Sequence, residues 1–261
     1  MNILFFGDVV GKVGRRALQG LLPSLIERER ADFVIANCEN VANGAGVDPK
    51  SCEELLAAGV DVLTSGNHIW RLREIDDYLN TPGVALLRPA NFPVDAPGRG
   101  WGVFTSNSGA RVAVVNLIGR VFMATVDCPF QAGERLVEEA RAACPVVVVD
   151  MHCDATSEKG AMGWFLDGRV SAVVGSHTHV QTADDRVLPQ GTGFITDAGM
   201  CGPIDSVIGV KPELAIRRFV TQRPTRFETA SGRCVVQGVT LEVDPRSGRA
   251  TSVKRIQEFV Q

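Results

Sequence analysis

Five short apolar runs in this chain end in the same way, and that repetition constrains the fold more than any other feature. "NILFFG" (2–7) runs into Asp8, "DFVIAN" (32–37) into Cys38-Glu39-Asn40, and "DVLTSG" (61–66) into Asn67-His68. "PVVVVDMH" (145–152) closes on His152, and "VSAVVGSH" (170–177) closes on His177, with His179 just beyond. Such runs read as buried strands. Helical stretches follow the first three. One runs from about Gly14 to Arg30, with Leu18, Leu21, Leu22, Leu25 and Ile26 on one face; the others are "DPKSCEELLAAG" (48–59) and "RLREIDDYLN" (71–80). The stretch at 48–59 has Asp at the N-cap, Pro at the first helical position and Gly at its end, three boundary signals. A βαβα alternation implies a mostly parallel sheet covered by helices.

The rhythm changes after residue 100. "WGVFTSNSGARVAVVNLIG" (101–119) reads as two strands joined by an Asn-Ser-Gly turn. A helix from about Gln131 to Ala143 follows, and "GTGFITDAG" (191–199) supplies a further strand. The tail "RCVVQGVTLEVDPRSGRATSVKRIQEF" reads as an antiparallel pair around an Arg-Ser-Gly turn. The expectation is an α/β protein with parallel and antiparallel strands, a single domain over residues 1–261. With 45% apolar and 22% charged residues, 261 residues suffice for one such core. A net charge of −3 without a basic run argues against general attraction to phosphate backbones, so no stable nucleic-acid binding is expected. No apolar run approaches the roughly 20 residues that cross a bilayer, so no membrane partner is expected. The first residues carry no basic leader before a long apolar core. Seven scattered cysteines without a CxxC pair argue against a disulfide framework or a cysteine zinc site. A cytoplasmic location fits these features.

In open α/β sheets ligands bind beyond the carboxyl ends of the strands. The five polar strand ends would therefore meet at one edge of the sheet, and all four histidines of the chain belong to that set. Their oxygen and nitrogen donors suit Mn, Fe or Zn. They exceed what one tetrahedral ion needs; two ions sharing a carboxylate, about 3.5–4 Å apart, make a clamp for displacement at phosphorus. His177 and His179, two apart on an extended segment, would lie on the same side. Cys38 and Cys153, beside them, read as packing residues. "GDVVGKVG" lacks the GxxxxGK[ST] spacing of a phosphate loop, and its glycines would let backbone approach the metals. Phe122, Phe130 and Trp164 are candidates to stack on a base, although core packing is the more usual role for such residues. Asp154, Thr156 and Ser157 have either substrate contact or helix capping open to them.

"GD" at 7–8, "GNH" at 66–68, the lone His152 and "GSHTH" at 175–179 resemble the calcineurin-like metallophosphoesterases, whose pattern is GDxH, an acidic bridge, GNH, His and GHxH. Val10 stands where that pattern has its first histidine, and Glu39-Asn40 where it has aspartate. With "GDVVGKVGRR", "NCENVANGAG", "TSGNHIW" and "MHCDATSEK", these departures resemble the YmdB-like subfamily along nearly the whole chain. The resemblance implies a four-layer αββα sandwich of mixed sheets flanked by helices. It also implies two divalent or mixed-valence metal ions, Fe or Mn with Zn as a third option. Asp8, Glu39, Asn40 and His179 would hold one metal; Glu39, Asn67, His152 and His177 would hold the other. His68 would face the substrate as general acid. The activity implied is hydrolysis of a small cyclic nucleotide, 2′,3′-cyclic AMP to 3′-AMP, by a metal-bridging hydroxide. Alternatives are a phosphomonoesterase, an RNA-end phosphodiesterase, or a nucleotide sensor without turnover; a homo-oligomer is left open.

Overall fold

The computed structural model describes residues 1–106 and 108–261. In chain order the first half contains β1 (Asn2–Phe6), β2 (Asp8–Val9), α1 (Gly11–Glu29), β3 (Phe33–Asn37), α2 (Pro49–Ala57), β4 (Val62–Thr64) and α3 (Glu74–Leu79). There follow β5 (Trp101–Thr105), β6 (Arg111–Ile118), α4 (Pro129–Ala143), β7 (Val147–His152), α5 (Thr156–Phe165) and β8 (Ala172–Ser176). The last part holds β9 (Arg186–Val187), β10 (Gly193–Ile195), β11 (Met200–Pro203), α6 (Pro212–Thr221), β12 (Cys234–Val243) and β13 (Ala250–Val260). The Asn-Ser-Gly turn expected between β5 and β6 lies partly outside the described residues.

The strands form two mixed sheets. The first runs β2-β11-β12-β1-β3-β4, with β13 also on β12; the second runs β5-β6-β7-β8-β10-β9. β1, β3 and β4 are parallel, as their alternation with helices predicts. The tail hairpin changes the character of this sheet. β12 lies antiparallel against the other edge of β1, Leu4 opposite Thr240, so the sheet is mixed rather than mostly parallel. Both faces of β1 are covered. Ile3 and Phe5 pack with Val115, Leu117 and Val149 of the second sheet, while Leu4 and Phe6 pack with Leu18, Leu22 and Leu25 of α1. A strand buried on both faces reads as a continuous apolar run, which is why β1 shows no alternation. Leu136, Val137 and Ala140 of α4 cover the outer face of the second sheet, completing four layers of the αββα type.

Helix boundaries differ from the local reading where backbone contacts decide them. α1 starts at Gly11, before Gly14, because Gly11 takes φ 60° and donates its N–H to Asn40 O at 2.9 Å. The stretch at 71–80 splits into a 3₁₀ turn (Ile69–Arg71) and the short α3. α5 carries Gly160 and Gly163, which hides it from propensity; it forms because Met162 and Lys159 are buried and Gly163 lies against Phe194. α6 buries only Ala215 and leaves Ile216, Phe219 and Val220 exposed. The glycines of "GDVVGKVG" serve backbone packing rather than approach to metals. A Cβ at Gly7 would meet Gly199 O, and one at Gly14 would meet Cys201 O.

Gly14 and Gly20 share one helix but not one environment. Gly14→Ala forces α1 off β11 and is expected to destabilise by about 1–3 kcal/mol. Gly20 is exposed with nothing near its absent Cβ, so Gly20→Ala is expected to stabilise by about 0.5–1 kcal/mol. Thermal melting of the two variants should move in opposite directions.

Candidate metal centre

Strand ends from both sheets, not one edge of one sheet, deliver the polar residues. β1, β3 and β4 of the first sheet lead to Asp8, to Glu39 and Asn40, and to Asn67 and His68. β7 of the second sheet ends on His152, and β8 ends at Ser176, one residue before His177. His177 and His179 are not on an extended segment. Their φ values are 98° and 63°, so the two rings are aimed by a left-handed loop beyond β8.

Four donor atoms crowd one point. His152 Nε2 lies 3.0 Å from Glu39 Oε2, 3.0 Å from His177 Nδ1 and 3.2 Å from Asn67 Oδ1. A single ring proton can serve only one of these three acceptors. Glu39, His152 and His177 form a group that could hold a metal ion. The separations match those between ligands sharing one ion at bond lengths of about 2.0–2.2 Å. A Cβ at Gly66 would overlap Glu39 Oε2 and His152 Nε2, so only glycine there leaves this space open.

A second group lies on the other side of Glu39. Asp8 Oδ1 is buried without a hydrogen-bond partner and faces His179 Nε2 at 3.6 Å. Asp8 Oδ2 accepts from His177 N at 2.9 Å. The Asn40 side chain reaches His179 Nε2 at 3.0 Å and Glu39 Oε1 at 3.1 Å through its amide nitrogen, while its oxygen meets His68 Nδ1 at 2.8 Å. The two ends of an amide are assigned from their neighbours. A half-turn of this amide presents its oxygen to the His179 and Glu39 side. An unpartnered buried carboxylate oxygen, the His179 Nε2 lone pair, an amide oxygen and a shared carboxylate suit a divalent cation.

Neighbouring residues set the ring tautomers. His152 Nδ1 meets Ser176 Oγ at 2.9 Å, and that hydroxyl donates to Asp150 Oδ1 at 2.6 Å, which leaves the His152 Nε2 lone pair facing Glu39 and His177 once the ring is neutral. His179 Nδ1 donates to Ile208 O at 2.8 Å and so aims Nε2 at Asp8. Asp197 accepts from Thr178 N and Oγ1 and from buried Lys159 Nζ at 2.6 Å, pinning the residue between the two loop histidines. Sequence reasoning missed Asp150, Ser176, Lys159 and Asp197. The available signal was a carboxylate inside "VVVVDMH", since a charge in an apolar strand needs a partner.

Protonation follows burial and the facing charges. Burial pushes the Asp8 carboxyl up, but His179 and His152 outweigh it and hold it below the usual range. Glu39 is likewise opposed by burial and is held well below the usual range by His152, His177 and His68. Burial disfavours the His152 imidazolium, yet Glu39 and Asp8 raise it to about 9. His179 is also raised, Asp8 overcoming burial. His68 goes the other way, lowered by burial despite the pull of Glu39.

The centre opens into a cleft of about 890 Å³ lined by His68, Asp154, His177 and His179, with a far wall from the segment around Ile208 and Phe227. Phe122, Phe130 and Trp164 are absent from its lining. Phe130 packs edge-on against Phe165, and Trp164 lies near Arg186. Phe227, half-exposed in the cleft, was not singled out in the sequence. Asp154 Oδ2 lies 3.7 Å from His177 Nε2. Ala155 is the N-cap of α5 and no side chain caps it, so Thr156 and Ser157 have no capping role. Cys38 and Cys153 are buried. No helix among the described residues is long and apolar enough to cross a membrane.

A family profile described as "YmdB-like protein" matches residues 4–256. The chain belongs to the YmdB-like family. Among its relatives is a Bacillus subtilis (strain 168) protein named 2′,3′-cyclic-nucleotide 2′-phosphodiesterase. That protein is 45% identical over 257 residues, covering 98% of this chain and 96% of the relative. A hypothetical protein of Thermus thermophilus superposes with a TM-score of 0.92 at 40% identity, covering 99% of both chains. A crystal structure described as a novel phosphatase from Mycoplasma pneumoniae superposes with a TM-score of 0.91 at 35% identity, covering 99% of this chain and 93% of that one.

Metal binding should be coupled to protons at His152. Raised to about 9, its ring is protonated in the metal-free protein at pH 7, and ligation requires it neutral. Affinity is expected to climb with pH toward about 9. Calorimetry in two buffers of different ionisation enthalpy should then report proton release on binding. Ser176→Ala removes the partner of His152 Nδ1 and should weaken metal binding about 10–100-fold.

Proposed function

We propose that this chain is a metal-dependent phosphodiesterase that opens 2′,3′-cyclic nucleotides, 2′,3′-cyclic AMP to 3′-AMP in the first instance. The observation that carries the reading is the Glu39-centred donor set opening on a cleft beside His68, in a chain 45% identical to a relative named 2′,3′-cyclic-nucleotide 2′-phosphodiesterase. Asp8, Glu39, Asn40 and His179 would hold one ion, and Glu39, Asn67, His152 and His177 the other, Fe or Mn by the nature of the donors. When bound, the ions supply an acidified water and neutralise charge on the phosphodiester oxygens.

The chain's own residues supply the rest. His68 lines the cleft, and its Nδ1 is tied to Asn40. Nε2 is therefore the nitrogen that presents a proton to the substrate, and the ring gives that proton up from its imidazolium form. Burial lowers this ring below the usual histidine value despite the pull of Glu39, which makes its imidazolium a stronger acid. Water adds to phosphorus, the bond to the 2′ oxygen breaks, and the His68 imidazolium delivers its Nε2 proton to that oxygen; the proton that water releases recharges the ring. Proton delivery of this kind is worth about 10²–10⁴-fold. Asp8 receives the His177 backbone N–H, and Asp197 holds Thr178, so the loop carrying both rings keeps its shape during turnover.

The test is hydrolysis of 2′,3′-cyclic AMP beside 3′,5′-cyclic AMP and p-nitrophenyl phosphate, with metal-stripped protein reloaded with Mn²⁺ or Fe²⁺. About two ions per chain and metal-dependent release of 3′-AMP are expected. Two ions with no turnover of any substrate would refute the reading and favour a nucleotide sensor. His68→Ala should retain the metal and lose about 10²–10⁴-fold in kcat. Loss of metal from that variant would contradict the role given to His68.

A further inference from the structure

We propose that the natural substrate is the 3′ end of an RNA strand carrying a 2′,3′-cyclic phosphate, rather than a free mononucleotide. The inference rests on the phosphodiesterase reading above and concerns what the cleft holds beyond the scissile phosphate. Three arginines line the cleft: Arg71 from the 3₁₀ turn just after His68, Arg218 from α6, and Arg226 from the segment after it. Among the described residues none of the three makes a side-chain ion pair. The acidic side chains nearby are engaged: Glu228 pairs with Lys211 at 2.6 Å, and Asp154 lies by His177. The cleft also holds Glu39, Asp154 and Glu228, but Glu39 sits in the donor set at its floor and Glu228 faces Lys211, so the three guanidiniums are the cationic groups of the outer cleft.

A 2′,3′-cyclic mononucleotide has one phosphate, and ions held by the donor set around Glu39 would answer it. Guanidiniums pair with further phosphates, in forked geometry. In an RNA strand the next phosphate is attached to the 5′ oxygen of the terminal ribose, one ribose away from the cyclic phosphate. Phe227, half-exposed on the cleft wall, offers a face for a base, and stacking of this kind tolerates any sequence. At about 890 Å³ the cleft lies near the upper end of the roughly 300–1,000 Å³ typical of small-molecule pockets. The wall bearing these groups is tied to the centre, because Ile208 O receives His179 Nδ1 at 2.8 Å and Thr229 Oγ1 donates to Asn43 O at 3.1 Å.

The chemistry is that of the mononucleotide reaction. A bond forms from water oxygen to phosphorus, and the phosphorus–O2′ bond breaks. The His68 imidazolium protonates O2′ and becomes neutral, and the proton released by water restores it through solvent. The product end carries a 3′-phosphate and a 2′-hydroxyl.

The experiment compares metal-loaded protein on 2′,3′-cyclic AMP, on 5′-phosphorylated 2′,3′-cyclic AMP, and on a four-nucleotide RNA ending in a 2′,3′-cyclic phosphate. The RNA is expected to show a kcat/KM at least about tenfold above the mononucleotide, with steeper loss as salt rises. Arg218→Ala and Arg226→Ala should each cut that preference ratio about tenfold, and Phe227→Ala by a similar factor. An RNA end cleaved no better than 2′,3′-cyclic AMP would overturn the proposal while leaving the phosphodiesterase reading intact. A preference matched by the 5′-phosphorylated mononucleotide would reduce the ligand to one extra phosphate and overturn the RNA assignment. Turnover of none of the three would strike the phosphodiesterase reading itself.

Discussion

The contact on which the rest depends is the one between Glu39 and His152, 3.0 Å apart and wholly buried. Glu39 follows a strand of one sheet, and His152 ends a strand of the other. The pair therefore joins the two halves of the sandwich at the point where their strand ends meet. A carboxylate taken out of water needs compensation, and here it comes from His152, His177 and His68 together. Ion pairs of this kind are poor devices for stability, because desolvation consumes most of their attraction. Their value here lies in holding several lone pairs within reach of one point.

Around that contact the structure uses further buried polar groups for orientation. Asp150 gathers Ser176 Oγ, Asn37 Nδ2 at 2.9 Å and Thr64 Oγ1, each from a different strand end, and Ser176 passes the constraint to His152. Burial raises Asp150 to about 6, a sign of how far this carboxyl is from solvent. Lys159 and Asp197 do the same for the loop of His177 and His179. This layer accounts for residues that would otherwise be destabilising anomalies in a strand interior or under a helix. The cleft wall formed by residues 204–229 is a different kind of element, with exposed arginines and aromatics, and it meets the centre chiefly through the His179–Ile208 contact.

Much of this was legible in the sequence because each strand announced its own end. β1, β3, β4, β7 and β8 are apolar runs, and the polar residues following them are adjacent in sequence to what positions them. The Asp48 N-cap, accepting from Ser51 N at 2.9 Å, is a local interaction and so was readable as well. The helix α5 was not, since its two glycines suppress local propensity while contacts with β8 and β10 make it form. The same limit applied to the HxH pair: an extended geometry was the natural reading, but the buried Asp197 under Thr178 holds a left-handed loop instead. Phe227 escaped notice for a related reason, although core packing of Phe130 was the reading favoured and is what the structure has. Phe122, Phe130 and Phe227 look alike in sequence, and only the return of the chain after α6 puts Phe227 in the cleft.

The sequence by itself determined the strands, the spacing of their polar ends and the donor types gathered there, because all of these depend on hydrophobicity and on neighbours within a few residues. Only the tertiary structure decided that β12 inserts beside β1, that two sheets rather than one contribute to the centre, and that Asp150 and Ser176 orient His152. It also decided which wall faces the cleft. These outcomes depend on contacts between residues separated by tens to hundreds of positions, such as Leu4 with Thr240 and His179 with Asp8. Such pairings are chosen by the packing of complete faces, and no local pattern encodes them.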